Sequence, residues 1–265
     1  MNDGFFTKTH DTNDLIPNTP DPAFTGMVPT VSFSGMSKFE TCPYALFLDK
    51  VSQVGSVGST AMDRGSLLHE LLESYINGDI NELPWSKFKS GDYHADLIEA
   101  LREDKIKGLC HPEYILAVTV DMKETTWDAP DVWLRGAIDI LNYHDESEQL
   151  AIVLDWKSGN NQSTAKHRSQ LMLYCLVLFI LKPDLQAIRA APVYLDHKEE
   201  LFYTEFTRAD VDLLWERYYQ RLRAVTDARE FLPNPNAFTC RWCQHKAIQP
   251  TLNQTEPACK FAHRG

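Results

Sequence analysis

The sequence predicts an α/β fold in which helices flank a mixed central β-sheet. Apolar residues recur at helical spacing over residues 63–76 and again over 163–181. Between these helices lie three strand patterns, at residues 113–126, 132–143 and 150–156, the last two joined by the polar turn 144–147. Further strand patterns follow the second helix, and this order is typical of a sheet covered by helices.

The remaining elements follow in chain order. Residues 1–30 are polar and interrupted by prolines, which indicates a loosely ordered N-terminal arm. Ser34 is expected to cap a short helix, and Cys42-Pro43 to end it and start a second helix that reaches Lys50. The Gly- and Ser-rich residues 52–60 predict a loop.

The second half of the chain completes one domain over residues 31–265. A further helix is predicted at residues 94–107, before the first strand. Strands are predicted at 187–195 and 201–206, and a long helix from residue 207 to about residue 229.

Composition limits the kind of protein this can be. With 265 residues, 43% of them hydrophobic, the chain can bury one substantial core. It has no apolar run long enough to span a membrane, and Met1-Asn2-Asp3-Gly4 lacks the basic, apolar character of a signal sequence. We therefore expect a soluble, cytoplasmic protein with no membrane partner. The formal net charge of −11 argues against broad wrapping by nucleic acid, so any DNA contact should be local and aided by metal.

The segment Asp155-Trp156-Lys157 ends an apolar strand pattern and carries the strongest chemical signal. Alternate strand residues share a face, so Asp155 and Lys157 should project together, with Asp139 on the preceding strand beside them. Two carboxylates can hold a divalent cation, and a nearby lysine can position water or offset phosphate charge. This set suits phosphodiester hydrolysis, although Asp-x-Lys alone also occurs in ordinary strands that enter polar loops.

Three further motifs accompany it in a fixed order. Along the chain the four motifs are Gly65-x-x-x-His69, Gly136-x-x-Asp139, Asp155-x-Lys157 and Gln170-x-x-x-Tyr174. Together they resemble the RecB-like branch of the PD-(D/E)XK nuclease superfamily over about residues 31–260, and this resemblance implies a restriction-endonuclease-like core. Residues 32–44 are similar to the opening of the iron–sulfur nucleases of this branch, including AddB and the CRISPR-associated exonucleases.

The resemblance also implies roles for these residues. His69, Asp139 and Asp155 are expected to bind Mg²⁺ or Mn²⁺, and the imidazole favours Mn²⁺ without excluding Mg²⁺. Lys157 is expected to orient or activate the attacking water. Gln170 and Tyr174 lie one helical turn apart and are expected to steady the DNA strand. From the residues alone, His69 could instead be a helix-surface histidine and Tyr174 a core tyrosine. Glu113 could lie near the metal across the sheet, but a glutamate at the start of a strand is usually exposed and is not assigned to the site.

Four of the six cysteines have a pattern that predicts a metal centre. A Cys-x-x-Cys pair with two distant thiolates can bind zinc or an iron–sulfur cluster, and spacing does not choose between them. The resemblance favours a 4Fe–4S cluster that joins residues 31–60 to residues 236–265. A disulfide is disfavoured in a cytoplasmic protein. The predicted ligands are Cys42, Cys240, Cys243 and Cys259.

One spacing departs from the resembled family. There the last cysteine follows the Cys-x-x-Cys pair within a few residues, whereas here fifteen residues separate Cys243 from Cys259. His245 is an alternative ligand, in which case Cys259 would be a free thiol.

The sequence therefore predicts a Mg²⁺- or Mn²⁺-dependent DNA exonuclease, with endonuclease activity also compatible, that acts on single-stranded DNA or DNA ends. Its setting would be recombination, repair or phage DNA processing, and self-association is compatible with the wider superfamily. Two alternatives belong to other classes. One is a catalytically inactive nuclease fold that binds DNA or protein, and the other is a zinc-stabilised interaction protein.

Overall fold

The computed structural model describes residues 26–54, 60–159, 164–248 and 254–263. At its centre is a five-stranded sheet with the order β1-β2-β3-β4-β5. Strands β3 and β4 run parallel and every other neighbouring pair is antiparallel, so the predicted mixed sheet is confirmed. The strands are β1 (Cys110–Val118), β2 (Leu134–Tyr143), β3 (Leu150–Lys157), β4 (Ala187–Tyr194) and β5 (Thr204–Thr207).

Helices cover the sheet much as the apolar periodicity predicts. The third of them, α3, and the crossover helix α5 lie within a few residues of their predicted bounds, whereas the first strand begins and ends earlier than predicted. None of the described helices has the length and apolar character that crossing a bilayer requires. The helices are α1 (Phe33–Thr41), α2 (Pro43–Lys50), α3 (Thr60–Asn77), α4 (Ala95–Ile106), α5 (Thr164–Leu181), α6 (Val211–Thr226) and α7 (Ala237–Cys240).

The sheet separates two hydrophobic clusters. One contains buried residues of α1, α5 and α6, and the other contains those of α3 and α4. Along β3, Val153 belongs to the first cluster, while Leu154 and Trp156 belong to the second. Because side chains alternate along a strand, Asp155 and Lys157 lie on the face that α5 covers.

The segment before α1 is held against the rest of the domain. The sequence assigns residues 26–30 to the N-terminal arm, yet Gly26 donates to the Thr226 carbonyl at 3.1 Å and Val28 is buried. A Cβ at position 26 would lie 2.3 Å from that carbonyl oxygen, so only glycine fits there. Residues 1–25 of the predicted arm lie outside the described residues. The N-cap of α1 is Ser32, not Ser34.

Candidate active site

Strands β2 and β3 separate at the point where the two predicted carboxylates lie. Their pairing runs from Tyr143 opposite Ala151 to Ile140 opposite Leu154 and extends no further. Beyond it, the backbone N–H of Trp156 donates to Asp139 Oδ2 at 2.5 Å. The Trp156 amide has no partner in the pairing of β2 with β3, so it binds the Asp139 carboxylate. This bond holds the carboxylate in a buried position beside β3.

Lys157 links the end of β3 to helix α5. Its ammonium forms an ion pair with the buried Asp155 carboxylate and donates to Gln170 Oε1 at 3.3 Å. The amide nitrogen of Gln170 in turn donates to the Tyr174 hydroxyl at 2.9 Å. Burial raises the pKa of Asp155, although the Lys157 charge opposes this rise. The structure thus brings four of the predicted site residues into one hydrogen-bonded chain.

His69 places both ring nitrogens against acceptors. Nδ1 lies 3.4 Å from Asp139 Oδ1, and Nε2 lies 3.1 Å from the Trp156 carbonyl oxygen. Burial alone would lower the pKa of His69, but the hydrogen bond to Asp139 and the charges of the nearby carboxylates raise it overall. A protonated imidazole therefore suits the site when no cation is present.

Glu113, which the sequence left unassigned because a strand-start glutamate is usually exposed, joins this site. Its neighbours Pro112 and Tyr114 pair with Ile140 and Ile138, so Glu113 lies opposite Asp139 in the register. The backbone of Glu113 has φ of 48°, a left-handed conformation that costs energy in a non-glycine residue. Burial, followed by the charge of Asp139, raises the pKa of Glu113 to about 7.

His69, Glu113 and Asp139 form a group that fits a divalent cation. One ligand atom from each lies within 4.8 Å of the others. Two carboxylates and an imidazole suit Mn²⁺ and are compatible with Mg²⁺. Two members of the group, His69 and Glu113, line an open cleft together with Gly65 and Glu73. Asp155, the third ligand predicted from sequence, lies outside the group and pairs with Lys157.

Two glycines of the sequence motifs permit close approaches around the site. A Cβ at Gly136 would lie 2.8 Å from Cε1 of the Tyr174 ring, so β2 and α5 could not pack as they do. A Cβ at Gly65 would lie 3.0 Å from Ser158 Oγ, between α3 and the end of β3. These glycines let α3 and α5 approach the sheet closely enough for their polar residues to reach it.

A buried carboxylate anchors the backbone that follows Lys157. Asp196 accepts from both terminal nitrogens of Arg64, at 2.7 and 2.9 Å, and from the Gly159 N–H at 2.6 Å. Burial would raise the pKa of Asp196, but the Arg64 hydrogen bonds and the Gly159 amide lower it overall. Asp196 therefore ties the start of α3 to the end of β3. Sequence analysis gave no sign of this role, because it depends on three distant segments.

The four cysteines predicted as ligands approach one another from both ends of the domain. Burial raises the pKa of Cys259, and its neighbours Cys243, Cys42 and Cys240 raise it further. All six cysteines of the chain are free thiols, and Cys110 and Cys175 are buried in the core.

Two backbone amides point at these sulfur atoms, and His245 is occupied elsewhere. The backbone nitrogen of Asn234 lies 3.4 Å from the Cys42 sulfur. The backbone nitrogen of His263 lies 3.4 Å from the Cys240 sulfur. The His245 ring, offered above as an alternative ligand, instead contacts Asp49 at 2.7 Å. The backbone carbonyl of His245 accepts from the Cys259 N–H at 2.9 Å, which holds Cys259 near the pair.

A family model and one solved structure agree with this architecture. Residues 30–248 match the family model of the PD-(D/E)XK nuclease superfamily. No curated protein matches the chain. The crystal structure of a protein from Eubacterium rectale, named as a candidate exonuclease, superposes with a TM-score of 0.50 at 13% identity, covering 94% of this chain and 95% of that one. The crystal structure of SSO0001 covers 84% of this chain and 87% of that one, with a TM-score of 0.40 and 14% identity.

Proposed function

Because the chain belongs to the PD-(D/E)XK nuclease superfamily, we propose that it is a Mg²⁺- or Mn²⁺-dependent deoxyribonuclease that removes nucleotides from single-stranded DNA or DNA ends. One observation carries the proposal: His69, Glu113 and Asp139 converge within 4.8 Å at an open cleft. Asp155 and Lys157 lie on the neighbouring strand. The activity would serve recombination, repair or phage DNA processing.

The ligand group determines where a cation would bind. His69, Glu113 and Asp139 would hold it, and Asp155 and the Trp156 carbonyl would lie at its edge. A bound cation would polarise the scissile phosphate and lower the pKa of a water molecule. His69 must lose its proton to become a ligand, so protons and metal compete at this site.

Lys157 and Tyr174 supply the groups that contact the water and the phosphate beside the metal. Lys157, held between Asp155 and Gln170, orients the attacking water and offsets charge on the phosphate. The Tyr174 hydroxyl accepts from Gln170, so its own proton is left to donate to a DNA phosphate oxygen. Burial, with the charges of the site carboxylates, raises the pKa of Tyr174, so the hydroxyl stays a neutral donor.

Two alternatives predict different results in one cleavage assay. We would incubate the protein with Mn²⁺ and either end-labelled linear DNA or covalently closed single-stranded circles, with Lys157→Ala as the control. An exonuclease shortens the linear strands and leaves the circles intact, whereas an endonuclease opens the circles. If folded wild-type protein cuts neither substrate, the chain is a catalytically inactive binding module.

The cysteine region is proposed to hold a 4Fe–4S cluster on Cys42, Cys240, Cys243 and Cys259, which joins residues 31–60 to residues 236–265. Cysteine thiolates bind zinc as well as iron–sulfur clusters. The similarity of residues 32–44 to the opening of iron–sulfur nucleases favours the cluster over one zinc ion.

Metal analysis tests the cluster separately from cleavage. Protein purified without oxygen should contain iron and acid-labile sulfide in equal amounts, about four of each per chain. Cys243→Ser should lose both, while Cys110→Ser, which removes a core thiol, should retain them. Stoichiometric zinc without iron would contradict the assignment.

A further inference from the structure

The C-terminal region carries a charge opposite to that of the rest of the chain. Residues 236–265 contain four Lys or Arg residues and one acidic residue, Glu256, which gives +3. Since the whole chain carries −11, residues 1–235 carry −14. A local positive region on a strongly acidic protein indicates an anionic partner.

The same region exposes large aromatic rings. Phe238 is 86% exposed and Trp242 is 85% exposed. They are four residues apart on α7 and the turn that follows it, a spacing that places side chains on one side of a helical turn. Rings so exposed add little to folding, so a contact outside the domain is the better explanation for them.

Cations accompany the rings. The Arg241 guanidinium lies over the Trp242 ring, 5.1 Å from its centroid. The Lys260 ammonium lies 5.2 Å from the centroid of Phe261, a ring that is 41% exposed. Rings that stack bases beside cations that neutralise phosphates are the two parts of a single-strand binding surface.

We propose that Phe238, Arg241, Trp242, Lys260 and Phe261 form an aromatic platform that binds single-stranded DNA. Bases stack on the rings, and Arg241 and Lys260 contact the phosphates. None of these residues lines the cleft of the metal site. The platform rests on the proposed deoxyribonuclease function and adds a second contact, which holds the strand beyond the nucleotides being cut.

A groove extends from the neighbourhood of the platform to the helix that carries His69. Gln244, two residues after Trp242, lines this groove together with Lys50, Met62 and the ion pair of Lys38 with Asp49. Met62 lies on α3, two turns before His69. A strand held on the platform therefore has a path of mixed charge to the start of α3.

The composition of the platform favours nucleic acid over a protein partner. Protein interfaces are enriched in aromatic residues and Arg, but Lys is depleted from them. The region supplies Lys246 and Lys260 as well as Arg241, with Glu256 as its acidic residue. Positive charge beside exposed rings matches a chain of phosphates and bases more closely than it matches an apolar protein surface.

Binding is measured with the full-length protein carrying Lys157→Ala, so that DNA is not consumed. The probes are fluorescent dT20 and a 20-unit abasic strand, which has the same phosphates and no bases. Phe238→Ala and Trp242→Ala are each expected to weaken dT20 binding by about fivefold to 150-fold. Trp242→Tyr, which keeps an aromatic ring, is expected to retain most of the wild-type affinity for dT20. Neither loss should occur on the abasic strand.

Phe202→Ala is the matched control, because Phe202 is 79% exposed and lies between β4 and β5, away from the platform. The proposal is overturned if Trp242→Ala binds dT20 as tightly as Phe202→Ala does. It is also overturned if the abasic strand shows the same loss. A dimer that Trp242→Ala converts to a monomer, with dT20 binding unchanged, would show that the surface contacts a second copy instead.

The two proposals fail in different ways. If the wild-type chain cleaves DNA and Trp242→Ala leaves dT20 binding unchanged, the platform proposal is wrong and the nuclease proposal stands. If the wild-type chain does not cleave DNA but Trp242→Ala weakens dT20 binding, the nuclease proposal is wrong and the platform proposal stands. Thermal unfolding of each variant checks the fold, which such exposed substitutions should not disturb.

Discussion

Glu113→Gln is expected to make the metal-free protein more stable at pH 8 and to abolish its response to Mg²⁺. The pKa of Glu113 rises from 4.5 to about 7, first because of burial and then because of the Asp139 charge. A rise of that size corresponds to about 3 kcal/mol against the ionised form. Glu113 is only half-buried, so solvent screening reduces the effect to about 1–2 kcal/mol. Glutamine keeps the size of the side chain and removes the charge.

The pH dependence follows from the two pKa values of Glu113. The unfolded chain loses the proton near pH 4.5, and the folded chain loses it near pH 7. The destabilising effect is absent below pH 4.5, grows between these values and is constant above pH 7. Urea unfolding with chelator should therefore show equal stability for wild type and Glu113→Gln at pH 4.5. At pH 8 the free energy of unfolding of the variant should exceed that of the wild type by about 1–2 kcal/mol.

With Mg²⁺ present, the wild type should instead be the more stable of the two proteins. A cation that binds the folded state stabilises the wild type in proportion to its affinity, and the variant lacks one ligand charge. Glu70→Gln is the matched control, because Glu70 lines the same cleft but is exposed. A Glu113→Gln protein that is less stable than wild type in chelator at pH 8, or one that gains as much from Mg²⁺, would refute the metal-site assignment.

Three further changes test other parts of the site. Lys157→Ala should slow cleavage of labelled DNA at least about a hundredfold, and an unchanged initial rate would rule out its role. Gly136→Ala forces a Cβ to within 2.8 Å of the Tyr174 ring. It should cost about 1–3 kcal/mol in urea unfolding and slow cleavage, whereas Gly35→Ala, whose nearest neighbour is at 3.4 Å, should do neither. Asp196→Asn leaves a partly buried arginine without its charged partner and should lower stability by about 1–3 kcal/mol. A thermal midpoint equal to that of wild type would contradict the anchoring role.

Local pattern was enough to predict which residues lie beside one another at the candidate site. Strands β2 and β3 are joined by a short polar turn, so they pair as a hairpin and bring Asp139 beside Asp155. The helical spacing of Gln170 and Tyr174 likewise places both side chains on one side of α5. Each of these placements depends on residues that are close in sequence, and periodicity describes such neighbours well.

Glu113 could not be assigned to the site from the sequence because its position depends on distant geometry. A long connection separates β1 from β2, and nothing in the strand pattern states which residue of β1 lies opposite Asp139. The left-handed backbone at Glu113 is also unexpected for a glutamate within a strand. The same limit applies to Asp196, which joins Arg64 on α3 to Gly159 after β3. Only the packed sheet and helices define such contacts.

The candidate site gathers groups that oppose folding, and its neighbours explain how the fold tolerates them. Asp139, Asp155 and Glu113 crowd negative charge into a partly buried space, where repulsion and desolvation both act. The Trp156 amide and the Lys157 ammonium offset part of this charge while no cation is present, and the His69 imidazole does so when it is protonated. A divalent cation would offset the remaining negative charge. The same crowded carboxylates therefore cause both the affinity for metal and the lower stability of the metal-free protein. Any substitution that relieves the crowding should therefore raise stability in chelator and lower cleavage together.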